Sequence, residues 1–209
     1  LSRPSFEKPL CNSKKINTIK TLEDLETIRN AVQSKLELRT LKKSSDNKQD
    51  KKDNLKEHFD ISLCLGTSCI SSGAEKVKTA LLEQIEKHGL QDRVHLVQTG
   101  CNGFCAQGPI MVIYPHGYLY LKVTPGDVSE IISEHIIHNR PVERLMFHDP
   151  VTKKAIPFYN ELPFFAPQDL RVLRNKAIIG AESIEDYIGR DGYFALARAL
   201  LKMTDTQII

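Results

Sequence analysis

Four cysteines in two closely spaced pairs are the residues of this chain best suited to chemistry. Cys64 and Cys69 form a C-x4-C motif within CLGTSC, and Cys101 and Cys105 form a C-x3-C motif within CNGFC. Paired thiolates bind soft metal centres, and sets of four cysteines ligate both 2Fe-2S clusters and many structural zinc ions. The two motifs therefore predict a metal site in which all four cysteines are ligands.

The spacing within each pair bears on the identity of the metal. Structural zinc sites are usually built from C-x2-C knuckles, which fit a single ion. The wider spacings found here suit a binuclear centre in which each pair holds one iron, so the sequence favours a 2Fe-2S cluster. The alternative is a structural or assembly module stapled by zinc. A disulfide network fits less well because the N-terminus lacks the apolar segment of a secretory signal.

No other constellation of catalytic residues competes with the cysteines. The sequence has no C-x-x-C redox motif, no H-E-x-x-H, and neither of the glycine-rich motifs that bind nucleotide phosphates. We therefore assign no catalytic residue, and no FMN or NAD contact, to this chain. Cys11, isolated in a polar tail, is expected to be a bystander.

Composition limits the classes of partner. The chain has 209 residues, of which 41% are hydrophobic and 26% charged, with a formal net charge of +3. So small a charge, without basic residues interleaved with aromatic ones, argues against nucleic acid. No apolar run approaches the ~20 residues that span a bilayer, so direct membrane insertion is not expected.

The cysteine pairs follow two predicted strands. FDISLCL runs into the first pair and RVHLVQT into the second, with a helix over Ala74–His88 between them. We expect Val77, Leu81, Leu82 and Ile85 to form the buried face of that helix. In a parallel β-α-β unit both strands end at the same edge of the sheet, so the two pairs are predicted to meet. Glycines in the loops leave backbone N–H groups free to point at sulfur.

The remaining elements complete an α/β sandwich. IMVIY and YLYLKV form a hairpin through PHG, and TPGD opens a helix over DVSEIISEHIIH. The resulting order, β-α-β-β-β-α, is the thioredoxin-like layout. An amphipathic helix from Thr21 to about Arg39 precedes it. A strand over DLRVLRN and a helical segment over SIEDYIGRDGYFALARALLKM, divided near Gly189 and Gly192, are predicted to follow.

The predicted organisation has five parts. They are an N-terminal tail and helix (1–41), a charged flexible linker (42–57), the thioredoxin-like 2Fe-2S domain (58–140), a proline-rich connecting arm (141–170) and the incomplete start of a flavoprotein domain (171–209). The arm is expected to lie over a surface instead of contributing to a core.

The phrase CLGTSC … TGCNGFCAQGPIMVIYP resembles the thioredoxin-like 2Fe-2S ferredoxin domain of complex I-like enzymes, whose C-x4-C and C-x3-C pattern is matched in full. The segments KTLEDLETIR, RPVERLMFHDPVTKKAIPFY and LRVLRN…SIEDYIGRDGYFALARALLKMT resemble flavoprotein subunits of NAD-linked iron hydrogenases, formate dehydrogenases and NADH:quinone oxidoreductases. In those subunits such a domain is fused in front of the flavin module. The resemblance implies that Cys64, Cys69, Cys101 and Cys105 ligate the cluster.

The resemblance also implies a role. The chain would belong to a subunit of an NAD(P)H-dependent oxidoreductase and relay single electrons between a flavin and neighbouring iron-sulfur clusters. Its partners would be flavin-bearing and iron-sulfur subunits of a cytoplasmic complex that associates only peripherally with the membrane. The glycine-rich loop for FMN and NADH, and the 4Fe-4S cysteines, would lie beyond MTDTQII, so the chain is expected to be truncated before them.

Overall fold

The computed structural model describes residues 18–40 and 58–209, which divide into two compact units. One unit consists of Leu36–Ser183 and contains all the strands. The other consists of residues 18–35 together with Ile184–Ile209. All four candidate ligands lie in the first unit.

The N-terminal helix α1 spans Leu22–Leu38, as predicted. Its first turn is held by a capping box, because the backbone N–H of Thr21 donates to the Asp24 carboxylate and the N–H of Asp24 donates to the Thr21 hydroxyl. The predictions for linker 42–57 and for Cys11 lie outside the described residues.

A four-stranded sheet forms the centre of the larger unit. Its strands are β1 (Phe59–Cys64), β2 (Val94–Thr99), β3 (Met111–Tyr114) and β4 (Tyr118–Tyr120), in the spatial order β2-β1-β3-β4. Strands β1 and β2 are parallel, whereas β1–β3 and β3–β4 are antiparallel. The predicted β-α-β-β-β-α order is therefore confirmed. Strand β4 is shorter than predicted and ends before Lys122, whose φ of 52° interrupts extended backbone.

Two helices connect β1 to β2. The predicted one, α3, spans Ala74–Lys87 and buries Val77, Leu81 and Ile85. Leu82 was assigned to the same face but is 38% exposed, since it lies one position round the helix from the row that contacts the sheet. A short helix α2 at Thr67–Ser71, which the sequence did not predict, precedes α3 and carries Cys69.

The last helical segment of the domain has three parts. A 3₁₀ turn at Pro125–Asp127 leads into α4 (Val128–Glu130), which continues as a π-helical turn over Ile131–Ile137. Thr124 and Asp127 form a capping box at its start. The predicted buried face is confirmed; its residues are Val128, Ile131, Ile132, His135 and Ile136.

The sheet separates two hydrophobic clusters because side chains alternate along each strand. Phe59, Ile61 and Leu63 of β1 pack in the cluster that contains α3 and the π-helical turn. Cys64 belongs to the cluster on the opposite face, with Tyr114 of β3. The end of β1 thus places its cysteine on the face opposite the cluster formed by most of α3 and the π-helical turn.

The arm covers this second face. We predicted that it would lie over a surface, but it contributes Tyr159, Leu162 and Phe165 to the same buried cluster as Cys64. Part of the arm forms a small antiparallel sheet of β5 (Phe147–His148) and β6 (Ala155–Ile156). The prediction failed because the many turn-forming residues of the arm favour a surface position, although the apolar residues between them pack in the core.

The predicted strand over 169–175 is wrong. That segment forms turns with Val172 94% exposed, because no neighbouring strand pairs with it. Three helices follow, α5 (Ile184–Gly189), α6 (Phe194–Lys202) and α7 (Asp205–Ile208), so the predicted division near the glycines is confirmed. None of the helices in the described ranges is long and apolar enough to cross a membrane.

Candidate metal centre

The parallel pairing of β1 and β2 brings the two cysteine motifs together, as predicted. Cys64 is the last residue of β1 and is paired in register with Thr99, the last residue of β2. The Leu65 backbone N–H donates to the Thr99 carbonyl at 2.9 Å, so the pairing continues past the strand end. Cys101 follows Thr99 after a single residue, Gly100, which places it at the same edge of the sheet as Cys64.

The first pair is buried. Cys64 and Cys69 are each 1% exposed and pack in the cluster that includes the arm. Burial, followed by the hydrogen bond with Cys64 and the charge of Cys64, raises the pKa of the Cys69 thiol to about 12. A hydrogen bond from the Ile110 backbone opposes this rise. A cationic centre would offset the cost of making both thiols anionic here.

The second pair faces solvent. The Sγ atoms of Cys101 and Cys105 are 3.6 Å apart, and both residues are exposed. The backbone N–H of Gly103 donates to Cys101 Sγ at 3.3 Å, an N–H···S contact of the kind predicted for this loop. The hydrogen bond with Cys101, and then the charge of Cys101, raise the pKa of Cys105. In each motif, one thiol therefore raises the pKa of the other.

The two loops contact one another through glycine. A Cβ atom built on Gly66, in the first loop, would lie 3.0 Å from Cys101 Cβ and 3.5 Å from Cys101 Sγ. A Cβ on Gly108, just after the second pair, would lie 2.7 Å from Cys69 Sγ. Only residues without a side chain permit so close an approach. Ser68 adds a hydrogen bond to Cys105 that lowers its pKa.

Aromatic residues of the arm shield one side of the second loop. The Phe104 ring stacks on Phe164 with centroids 4.6 Å apart and meets Phe165 edge-on at 5.8 Å. Lys176 Nζ lies 4.9 Å from the centroid of the Phe165 ring. Burial lowers the pKa of Lys176, and the negative charge of Cys101 opposes that shift, so a cation lies close to the second pair.

Sequence reasoning missed several of these contributors. The arm residues lie far from the cysteines along the chain. The one feature of the sequence that could have indicated a packing role is the density of aromatic residues in FYNELPFF. The Asn102 side chain, between the cysteines of the second pair, was also missed: it is buried, with Oδ1 lacking a hydrogen-bond partner.

The donor set fits a 2Fe-2S cluster better than a single ion. Within residues 18–40 and 58–209, no three His, Cys, Asp or Glu side chains are grouped closely enough to hold one metal ion. Four cysteines around one zinc would all lie within about 4 Å of each other, given Zn–S bonds of about 2.3 Å. The sulfurs here form two separate pairs, the arrangement required when each pair binds one iron of a binuclear centre.

Comparison with known families gives an independent view of this region. The model of the family described as thioredoxin-like [2Fe-2S] ferredoxin matches residues 49–135, which include all four cysteines. A 2Fe-2S ferredoxin of Clostridium pasteurianum is 39% identical over 77 residues, covering 37% of this chain and 76% of the ferredoxin. These similarities support a 2Fe-2S cluster and give the zinc alternative no support.

Two further similarities concern a hydrogenase and a solved structure. The NADP-reducing hydrogenase subunit HndA of Solidesulfovibrio fructosivorans is 36% identical over 85 residues, covering 38% of this chain and 48% of that subunit. A crystal structure of the thioredoxin-like [2Fe-2S] ferredoxin from Aquifex aeolicus superposes with a TM-score of 0.42 at 31% identity. It covers 44% of this chain and 99% of that one.

Proposed function

Because the chain belongs to the thioredoxin-like [2Fe-2S] ferredoxin family, we propose that Cys64, Cys69, Cys101 and Cys105 ligate its cluster. This assignment is supported by the position of the two cysteine pairs, which meet at the ends of adjacent parallel strands with the two thiols of each pair close together. The function supported by the family is electron transfer of the ferredoxin type. A bound 2Fe-2S cluster supplies one-electron redox chemistry.

The two cysteine pairs would have different roles in electron transfer, because one pair is buried and the other is exposed. The buried pair, Cys64 and Cys69, would hold one iron away from water beneath the arm. Cys101 and Cys105 would hold the other iron at the exposed edge, where an electron can pass to a partner. The Gly103 N–H, which already donates to Cys101 Sγ, would stabilise negative charge on that sulfur.

The larger proposal is that the chain is part of a subunit of an NAD(P)H-linked oxidoreductase. It is supported by the segments outside the cysteine region that resemble hydrogenase and formate dehydrogenase flavoproteins, and by the similarity to a hydrogenase subunit. Within such a complex the domain would relay electrons between a flavin and neighbouring iron-sulfur subunits. FMN, NAD(P)H and a 4Fe-4S cluster would be bound by the rest of the subunit. Reduced paired thiols favour a cytoplasmic location.

The ligand assignment is tested by anaerobic purification and four single Cys→Ser variants. Unmutated protein should contain about two irons and two sulfides per chain, bleach on dithionite reduction and then give an EPR signal. Each variant should lose iron or change the EPR g-values, while Ser71→Ala, at the last residue of α2, should do neither. Colourless protein containing one zinc would refute the assignment.

The role in a larger enzyme needs a separate experiment. The whole native subunit that contains this chain, tagged at its gene and purified from its own source under low-salt conditions, should retain FMN and reduce viologen dyes with NADH or NADPH. A preparation that carries the cluster but no flavin, and does not react with either nucleotide, would leave the ferredoxin assignment standing and refute the larger one.

A further inference from the structure

Tyr159 is a residue of the arm that lies beside the buried cysteine pair. It begins the 3₁₀ turn Tyr159–Glu161, and its side chain is in the cluster that includes Cys64. Its backbone N–H donates to the Gly117 carbonyl at 3.0 Å, and its ring stacks on Phe165 with centroids 4.2 Å apart. Both contacts fix the position of the phenol ring.

The hydroxyl of Tyr159 is buried without a hydrogen-bond partner. The residue is only 7% exposed, and its oxygen is one of the few buried polar atoms in the described residues that are unpaired. Other buried tyrosines differ, since Tyr114 donates to the Ala177 carbonyl at 3.3 Å and Tyr120 bonds to His135 at 2.7 Å. Leaving a buried hydroxyl unpaired costs about 1–3 kcal/mol, so an acceptor is expected at this position.

The Cys64 sulfur belongs to the same buried cluster as the Tyr159 ring, so it lies near the unpaired hydroxyl. Burial raises the pKa of Tyr159, and the charge of Cys64 adds to that rise. A phenol O–H is a hydrogen-bond donor, so a negatively charged acceptor would satisfy the unpaired hydroxyl. Sulfur that ligates a cluster carries such charge, and hydrogen bonds to it stabilise the reduced state.

We propose that the Tyr159 hydroxyl donates a hydrogen bond to the sulfur of Cys64 when the cluster is bound, and so raises the reduction potential of the centre. The inference rests on the proposed function, because it requires a cluster ligated by Cys64. Tyr159 would act as a positioning and tuning residue, and not as a ligand. It would make the arm a determinant of the redox properties of the domain.

The test compares Tyr159→Phe with Tyr114→Phe in the cluster-loaded protein. Both changes remove one hydroxyl from the same buried cluster, but Tyr114 donates to a backbone carbonyl. EPR-monitored redox titration should show a more negative midpoint for Tyr159→Phe than for either the unmutated protein or Tyr114→Phe. Resonance Raman bands of the Fe–S(Cys) stretch should shift on transfer to D₂O in the unmutated protein and in Tyr114→Phe, but less in Tyr159→Phe.

The outcomes separate this inference from the proposed function. If the unmutated protein contains no 2Fe-2S cluster, the proposed function fails. If it contains one but Tyr159→Phe matches it in midpoint and Raman spectrum, only the role of Tyr159 fails. Should Tyr159→Phe not load iron, pulsed EPR of the reduced Tyr114→Phe protein containing ring-deuterated tyrosine replaces it, because Tyr159 is then the one labelled tyrosine left in that buried cluster. Tyrosine deuterons coupled to the cluster spin would support the inference, and their absence would overturn it.

Discussion

Gly108 approaches Cys69 so closely that a Cβ atom on the glycine would lie 2.7 Å from the cysteine Sγ. Any side chain at Gly108 must therefore displace a proposed ligand or the loop that carries it. We expect Gly108→Ala to load much less iron than the unmutated protein. Iron and sulfide analysis of anaerobically reconstituted protein checks this. Gly100→Ala is the matched control, because a Cβ there meets nothing within 4 Å. Equal loading of both variants would contradict the prediction.

Lys176 provides positive charge close enough to Cys101 for the charge of that cysteine to oppose the lowering of the Lys176 pKa by burial. We expect Lys176→Met to lower the midpoint potential, because reduction adds negative charge that the ammonium group stabilises. For a partly exposed pair the effect is about 1 kcal/mol or less, which corresponds to about 40 mV or less for a one-electron couple. EPR redox titration measures it.

The control for that substitution is Lys87→Met at the far end of α3. Ala74, at the start of this helix, packs with the buried cysteines, whereas Lys87 is its last residue. At 1.5 Å per residue the two ends are about 20 Å apart, so Lys87→Met should leave the potential unchanged. A shift of the same size in both variants would point to net charge and not to a local effect of Lys176.

His135 makes the larger unit sensitive to acid. Its ring is buried against Phe59, Tyr118 and Tyr120, and its Nδ1 pairs with the Tyr120 hydroxyl. Burial, with a smaller contribution from the charge of His116, lowers the pKa of His135 from 6.5 to about 3. The folded state holds the neutral form, so its stabilisation is full above pH 6.5 and is lost as the pH falls towards 3. Between pH 7 and pH 5 the loss should be about 2 kcal/mol.

Urea unfolding of unmutated protein and His135→Gln at both pH values measures this loss. Glutamine does not titrate, so the difference in stability between the two proteins should change by that amount between pH 7 and pH 5. Loss of the cluster at low pH would lower the free energy of unfolding of both proteins, so it cancels in the difference between them. A difference that is constant with pH would refute the role of His135.

Arg39 and Asp60 form a buried ion pair, with side chains 5% and 6% exposed. Arg39 also donates to the Ile178 carbonyl at 3.1 Å. Arg39→Met should reduce the free energy of unfolding by about 3–5 kcal/mol, because it leaves the Asp60 carboxylate buried without its partner. The control is Arg140→Met, whose exposed pair with Glu134 should contribute about 1 kcal/mol or less. Similar losses in the two variants, measured by urea unfolding, would argue against this account.

The sequence predicted those features that follow from local pattern and from chain topology. The four strands of the main sheet, α3 and the meeting of the cysteine pairs all follow from period-2 and period-3.6 patterns and the handedness of a β-α-β crossover. Strands β5 and β6 of the arm were not predicted. Helix α2 was missed because Gly66, Thr67 and Ser68 are typical loop residues. The strand over 169–175 was wrong because apolar alternation cannot reveal whether a pairing strand exists.

The contributions of the arm could not be read from local pattern. Tyr159 of the arm and Lys176, just beyond the arm, come near the cysteines only through long-range packing, and neither is part of a motif. Nothing in the sequence around Tyr159 shows that its hydroxyl would be buried without a partner. That fact comes from the packing of the arm on the sheet face that carries Cys64.

Iron K-edge X-ray absorption of the as-isolated protein tests the central claim most directly. The account predicts that each iron is surrounded by four sulfur atoms and has one iron neighbour, because two cysteine pairs hold two bridged irons. Cysteine-ligated metal without a metal neighbour, or an absorption edge from zinc in place of iron, would contradict it.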